Sequence, residues 1–248
     1  MAVPWLSTVT PFTLKYPAQY RAPLPPDLTS SEYTRDYNEV KALGALVNSA
    51  RTPEQTDIAY FYADNAFLYW NRALQGIANT YLNDIGDSAR LFALVTMAMA
   101  DAAITAWDTK RHYYLWRPIT AIQQGDSDGN PLTAGDPTWQ SLIVNPNYPD
   151  YTSGANNLSG SATRMLALFF GTDEVPFSIT SNFPLAIQKT RTYSRFSDAA
   201  DDVVNARVYL GIHFRFADTV ARKQGKRVAD WAFSHVLRPI EDSDDSDE

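Results

Sequence analysis

Three stretches of the 248-residue chain set cations, or backbone suited to binding an anion, in apolar surroundings. In the first, Lys110 and Arg117 have Tyr113, Tyr114, Leu115 and Trp116 between them, and Pro118 follows. On a helix this spacing puts both cations on one face, two turns apart. The second is Arg207-Val-Tyr-Leu-Gly-Ile-His213-Phe-Arg215-Phe216, again a cation and a histidine in an apolar frame. Buried Lys or Arg is rare unless paired, and few acids adjoin these residues, so an external anion would satisfy them. The competing reading is two structural clusters whose cations snorkel or pair with distant acids. Between them, Tyr148-Pro-Asp-Tyr-Thr-Ser153-Gly154-Ala155-Asn156-Asn157 leads small residues into a helical segment. N–H groups at such a helix start form an anion site, and a plain helix cap fits the same residues.

Other chemistries find no support. The three histidines, His112, His213 and His235, show no metal-ligand spacing, and His235 reads as a helix-terminal residue. No serine sits in a GxSxG elbow and no GxxxxGK[ST] loop occurs. The absence of cysteine excludes disulfides, thiolate metal sites and a cysteine nucleophile. The net charge of −7 is concentrated at one end: Glu241–Glu248 holds six acids, and without it the chain has 22 acids against 21 bases. A near-neutral body speaks against nucleic acid as a partner. The start, Met1-Ala-Val-Pro-Trp5, lacks the basic residues and apolar run of a signal peptide. A chain secreted or periplasmic after processing is the expected placement.

The elements that must hold these residues read as helices. Thr29-Ser-Ser-Glu32 and Thr52-Pro-Glu-Gln55 are capping boxes, which predict helices over 31–49 and 53–64. Helical spacing continues over 66–83, 88–108, 156–170, 183–191, 199–212 and 216–236, and 126–152 reads as a long loop of the kind that is usually functional or disordered. No alternating strand pattern of useful length is present. Leu91–Trp107, 17 residues with Asp101 inside, falls short of the roughly 20 needed to span a bilayer. A central buried helix is expected there, with no membrane span. The expected organisation is an extended N-terminal arm over 1–30, one all-α bundle over 31–237 and an acidic disordered tail over 238–248.

In this order, the three stretches resemble the vanadium-dependent haloperoxidases and the acid phosphatases of the type 2 phosphatidic acid phosphatase superfamily. That pattern is K-x6-R-P, P-S-G-H and S-R-x5-H. Lys110, Arg117 and Pro118 match the first in full; Ala206, Arg207 and His213 match the third except for its serine. The second reads Thr152-Ser153-Gly154-Ala155, with alanine in place of histidine. Trp107 and Tyr148 fall where the haloperoxidase branch carries aromatic residues of the halide pocket. Leu210–Phe216 and Arg51–Gln55 are also similar to that branch, and the likeness covers about residues 10–237.

The resemblance implies a helical bundle binding one tetrahedral oxyanion. Lys110, Arg117 and Arg207 would neutralise its equatorial oxygens, assisted by Ser153 and the Gly154 N–H. His213 would be the axial group, ligating vanadate in a haloperoxidase or forming a phosphohistidine in a phosphatase. On a straight helix Arg207 and His213 stand about 120° apart, so the helix must bend or the anion must sit between them. Ala155 removes the family's general acid–base, worth roughly 10²–10⁴-fold in such reactions. His112 would replace it only if turned inward. The aspartate that often follows the axial histidine by four residues is here Ala217, with Asp218 next, and Asp64 is expected to lose its partner at Ala155. Three readings follow: a weak vanadate-dependent haloperoxidase-like protein using halide and hydrogen peroxide, a phosphomonoesterase on the same scaffold, or a phosphate- or vanadate-binding protein without turnover.

Overall fold

The computed structural model describes residues 1–238, so the acidic run Glu241–Glu248 lies outside the described residues. Its helices are α1 (Ser31–Leu43), α2 (Pro53–Phe61), α3 (Ala66–Tyr81), α4 (Ile85–Tyr113), α5 (Pro118–Gln123), α6 (Gly154–Phe170), α7 (Phe196–Tyr209) and α8 (Arg215–His235). The fold is all-helical apart from one small antiparallel hairpin, β1 (Phe177–Thr180) and β2 (Thr190–Tyr193), with Phe177 opposite Tyr193. The second capping box forms as the sequence implies, while the first gives way to a cap one residue on, at Ser30, with Tyr33 rather than Glu32 in the third position. Ser30 accepts the Tyr33 N–H, and Thr52 and Gln55 cap each other reciprocally.

The helix expected over 183–191 is instead the turn of the hairpin and the start of β2. Pro184 in the first turn would not exclude a helix; the segment's backbone is instead claimed from a distance in sequence. The Asp57 carboxylate accepts the Ile187 N–H at 2.6 Å, and the Arg191 guanidinium reaches Asp57 and Glu54, both at 2.8 Å. The hairpin's inner face carries Phe177 and Ile179 into the main core, with Ser178 outward between them.

Helix α4 runs through the centre of the bundle, flanked by α6 and α8. It is apolar and long enough to cross a membrane, but Leu91, Leu94, Ala98, Ala102 and Ala106 are buried by the surrounding helices. Asp101 sits on this helix, fully buried, because residues 1–30 need it. Its carboxylate accepts the N–H groups of Phe12 (2.7 Å), Thr13 (2.7 Å) and Leu14 (3.1 Å) and the Thr13 hydroxyl (2.6 Å). The N-terminal segment is thus pinned to the central helix, carrying only two short 3-10 turns, Pro4–Thr8 and Pro17–Tyr20.

The contact between α6 and α8 depends on glycine. A Cβ on Gly225 would strike the Asn157 carbonyl, and one on Gly160 would strike the Arg222 carbonyl. Overpacking of this kind typically costs about 1–3 kcal/mol. Gly225→Ala is therefore expected to lower the denaturant midpoint markedly. Gly76→Ala, on the exposed face of α3 with nothing within 4 Å, should raise it by the ~0.5–1 kcal/mol of helix propensity. Equal effects of the two substitutions would contradict the close packing of α6 on α8.

Candidate functional site

Lys110 lies in the last turn of α4, and Tyr114 ends that helix in the left-handed region at φ 50°. Arg117 then caps α5, with Pro118 at its first position. The two cations therefore do not share the face of one helix, as their spacing predicts; a chain reversal brings them to the same loop. The Lys110 ammonium donates to the carbonyls of Pro149 (2.7 Å) and Asp150 (2.9 Å). Arg117 donates through Nε to Tyr148 O and through Nη1 to Ile212 O, both at 2.6 Å. Both side chains are almost completely buried.

The other half of the site is built by a break in the chain. Helix α7 stops at Tyr209, Gly211 takes φ 75°, and His213 precedes the start of α8. Arg207 and His213 thus lie on either side of a turn rather than on one straight helix. The turn fits because Gly44 and Gly211 meet backbone to backbone, where a Cβ on either would collide with the other. This contact also explains why α1 ends at Leu43 and not at residue 49. Arg207 is half-buried and makes one long bond, Nη1 to Tyr62 O at 3.3 Å.

Ser153 caps α6 and Gly154 is its first residue; both are buried. A Cβ at Gly154 would stand 3.1 Å from the Trp107 ring, so glycine lets the helix start approach the aromatic wall. Trp107 and Tyr148 pack at 5.0 Å between centroids. The Lys110 ammonium lies 5.1 Å from the Tyr148 centroid and the Arg117 guanidinium 4.7 Å from it. The residues predicted as clamp and pocket are therefore neighbours in space.

Their electrostatics shows a shared environment. Burial, then the charges of Arg117 and Arg207, depresses Lys110 well below the ordinary lysine value. Burial, then Arg117, Lys110 and Arg207, likewise holds His213 well below the ordinary imidazole value and so neutral. Burial lifts the Asp150 carboxyl to about 7 against the opposing pull of Arg117 and Lys110, and lifts Asp218 well above its usual range. Arg117 Nη2 and Arg207 Nε are buried and have no aligned hydrogen-bond partner among the described residues. Cationic donors left over at one place suit a tetrahedral oxyanion such as vanadate or phosphate, and the residues present fit that group.

Several expected supporting residues are placed differently. Asp64 does not lack a partner: it pairs with Arg72 and accepts the N–H groups of Asn65 (2.8 Å) and Asn182 (3.0 Å). Burial would raise its pKa, but the bonds from Asn182, Asn65 and Arg72 overcome that and hold it below the ordinary value. Asp218 accepts from the Asn156 amide at 2.7 Å and contacts the Ser153 hydroxyl, rather than holding His213. His112 is exposed and packs edge-on against Tyr113, so it cannot stand in for the missing histidine. His235 ends α8 stacked on Trp231 at 3.6 Å.

The carboxyl beside His213 belongs to Asp150, which the motif reading passed over. Its Oδ1 lies 2.7 Å from His213 Nδ1, with side-chain exposures of 0% and 1%. The separation is that of a hydrogen bond while the alignment is not. The Phe214 N–H also faces the carboxyl, and the Asp150 main-chain carbonyl also faces the ring. The available signal was a lone acid between Pro149 and Tyr151 in a stretch, 137–163, with no other charged residue.

Comparison with known proteins agrees with this fold. Residues 90–242 match the family described as the VCPO second helical-bundle domain. Vanadium chloroperoxidase of Curvularia inaequalis is 27% identical over 266 aligned positions, covering 80% of this chain and 43% of that protein. The structure of a bacterial vanadium-dependent iodoperoxidase superposes with a TM-score of 0.79 at 27% identity, over 93% of this chain and 57% of that one. An apo bacterial vanadium-dependent chloroperoxidase, 19% identical, shares the fold with a TM-score of 0.77 over 93% of this chain and 54% of its own. The chain belongs to the vanadium haloperoxidase and type 2 phosphatidic acid phosphatase-like superfamily. Within it, the match is to the second helical bundle, and the chain spans about half the length of these relatives.

Proposed function

We propose that this chain carries the oxyanion centre of a vanadate-dependent haloperoxidase-like enzyme, oxidising halide with hydrogen peroxide. The observation that carries the reading is the convergence of buried Lys110 and Arg117 with half-buried Arg207 around neutral His213. Lys110, Arg117 and Arg207 would hold the oxygens of vanadate, with Ser153 and the Gly154 N–H beside them, and His213 would coordinate it. When bound, vanadate supplies the electrophilic centre at which peroxide is activated toward halide. The protein's part is to neutralise the anion, exclude water through Trp107 and Tyr148, and present a neutral imidazole. Ala155 offers no acid–base group, so turnover is expected to be weak.

The test is a paired assay of one purified sample: iodide or bromide oxidation with added vanadate, and aryl phosphate hydrolysis without it. Halide oxidation that depends on vanadate is the expected outcome. Hydrolysis alone, with a phosphohistidine trapped on His213, would replace this reading with a phosphomonoesterase. Vanadate binding without either activity would leave a binding protein.

A further inference from the structure

We infer that Asp150 is the positioning residue for His213, its side chain accepting the Nδ1 proton so that Nε2 is left bare. The presentation of that Nε2 to an oxyanion rests on the function proposed above; the tautomer assignment does not. Two observations lead here. Asp150 Oδ1 and His213 Nδ1 are 2.7 Å apart and both buried, the competing contacts being the Phe214 N–H for the carboxyl and the Asp150 main-chain carbonyl for the ring. The position four residues after His213 is Ala217, whose methyl group accepts nothing, and Asp218 is engaged by Asn156 and Ser153.

A buried ring N–H with a carboxyl oxygen at 2.7 Å is costly to leave unpaired. The main-chain carbonyl of Asp150 already receives Lys110, which leaves the side chain as the freer acceptor. Either protonation state of a carboxyl offers an acceptor oxygen, so the contact does not depend on ionisation. The backbone of Asp150 is fixed on both sides. Its N–H donates to Leu115 O at 2.9 Å and its carbonyl accepts from Lys110 at 2.9 Å. The side chain therefore springs from a point that Lys110 also holds, which ties His213 to the cationic clamp. Partners of this kind fix the tautomer and ring orientation of a ligating histidine.

The experiment uses anion-free protein labelled with 15N-histidine. Three histidines are present, and His112 and His235 are exposed. Replacing those two with glutamine leaves one pair of ring nitrogens, whose long-range proton couplings report which is protonated. In the parent, Nδ1 is expected to carry the proton. Asp150→Ala and Asp150→Ser, which cannot reach the ring, should shift the population toward Nε2–H. Asp150→Asn, which keeps an acceptor oxygen at the same reach, should retain Nδ1–H. Inorganic vanadate, titrated by 51V resonance, should bind about 10–100-fold more weakly to the Ala or Ser variant. An Nδ1–H tautomer that persists in whichever of these two folds would overturn the assignment and make a main-chain oxygen the acceptor. A parent ring protonated on Nε2 would overturn it equally. If the tautomer follows Asp150 but the parent binds no vanadate, the positioning role stands and the proposed function fails.

Discussion

Replacing Ala155 with histidine is expected to raise turnover by about 10²-fold, the lower end of what a positioned acid–base group contributes. Ala155 lies in the first turn of α6, directly after Gly154, and is only partly buried against the core. A larger side chain there can turn toward solvent instead of wedging α6 from its neighbours. The gain is set near ~10² rather than ~10⁴ because Asp64 is already committed to Arg72, Asn65 and Asn182. A new imidazole would find no free carboxylate there to fix its orientation. Any phosphatase activity should gain most with alkyl phosphates, whose leaving oxygen needs a proton, and least with aryl phosphates. Initial rates of halide oxidation and of both hydrolyses provide the check. A folded Ala155→His protein that binds vanadate and gains in none of them would show that the missing proton donor is not what limits this site.

Arg207→Ala is expected to weaken vanadate binding by roughly 10–150-fold, the equivalent of the ~1.5–3 kcal/mol of one charge-assisted hydrogen bond. Among the clamp residues it isolates binding from folding most cleanly. Arg117 is bonded to two buried carbonyls at 2.6 Å, and removing it would leave both unsatisfied. Arg207 gives up only a 3.3 Å bond to Tyr62 O. Its charge also depresses Lys110 and His213, so its loss relieves repulsion in the anion-free protein. Denaturation of the variant should therefore differ little from the parent while the vanadate titration moves far to the right. An unchanged titration in a folded variant would mean that Arg207 faces away from the anion.

How far the residues announce this arrangement depends on whether the governing interaction is local. The cap at Thr52 and the apolar run of α4 are local, and they form where the sequence places them, while the first cap shifts by one residue to Ser30. The hairpin was hidden because the composition of Leu185–Gln188 suits a helix, whereas Asp57 and Arg191, distant in sequence, decide otherwise. The reversal between Lys110 and Arg117 was illegible because it turns on a left-handed Tyr114, a conformation that side-chain type does not advertise. Gly211 was the better clue, since its φ of 75° breaks the helix that would otherwise separate Arg207 from His213. Asp150 could not be weighed from its neighbours at all. Its significance comes from a histidine 63 positions later.

The carbonyls that grip Lys110 and Arg117 have a thermodynamic consequence. Long cationic side chains lose about 1.5–2 kcal/mol of rotamer freedom when fixed. Here the oxygens of Tyr148, Pro149, Asp150 and Ile212 impose that loss during folding, before any anion arrives. Capture of the anion then costs little further ordering, as in any preorganised receptor. The mutual repulsion of the cations is carried by the free protein, and an incoming anion discharges it. Affinity and fold stability are thereby linked: a hundredfold excess of anion over its Kd should stabilise the bundle by about 2.7 kcal/mol.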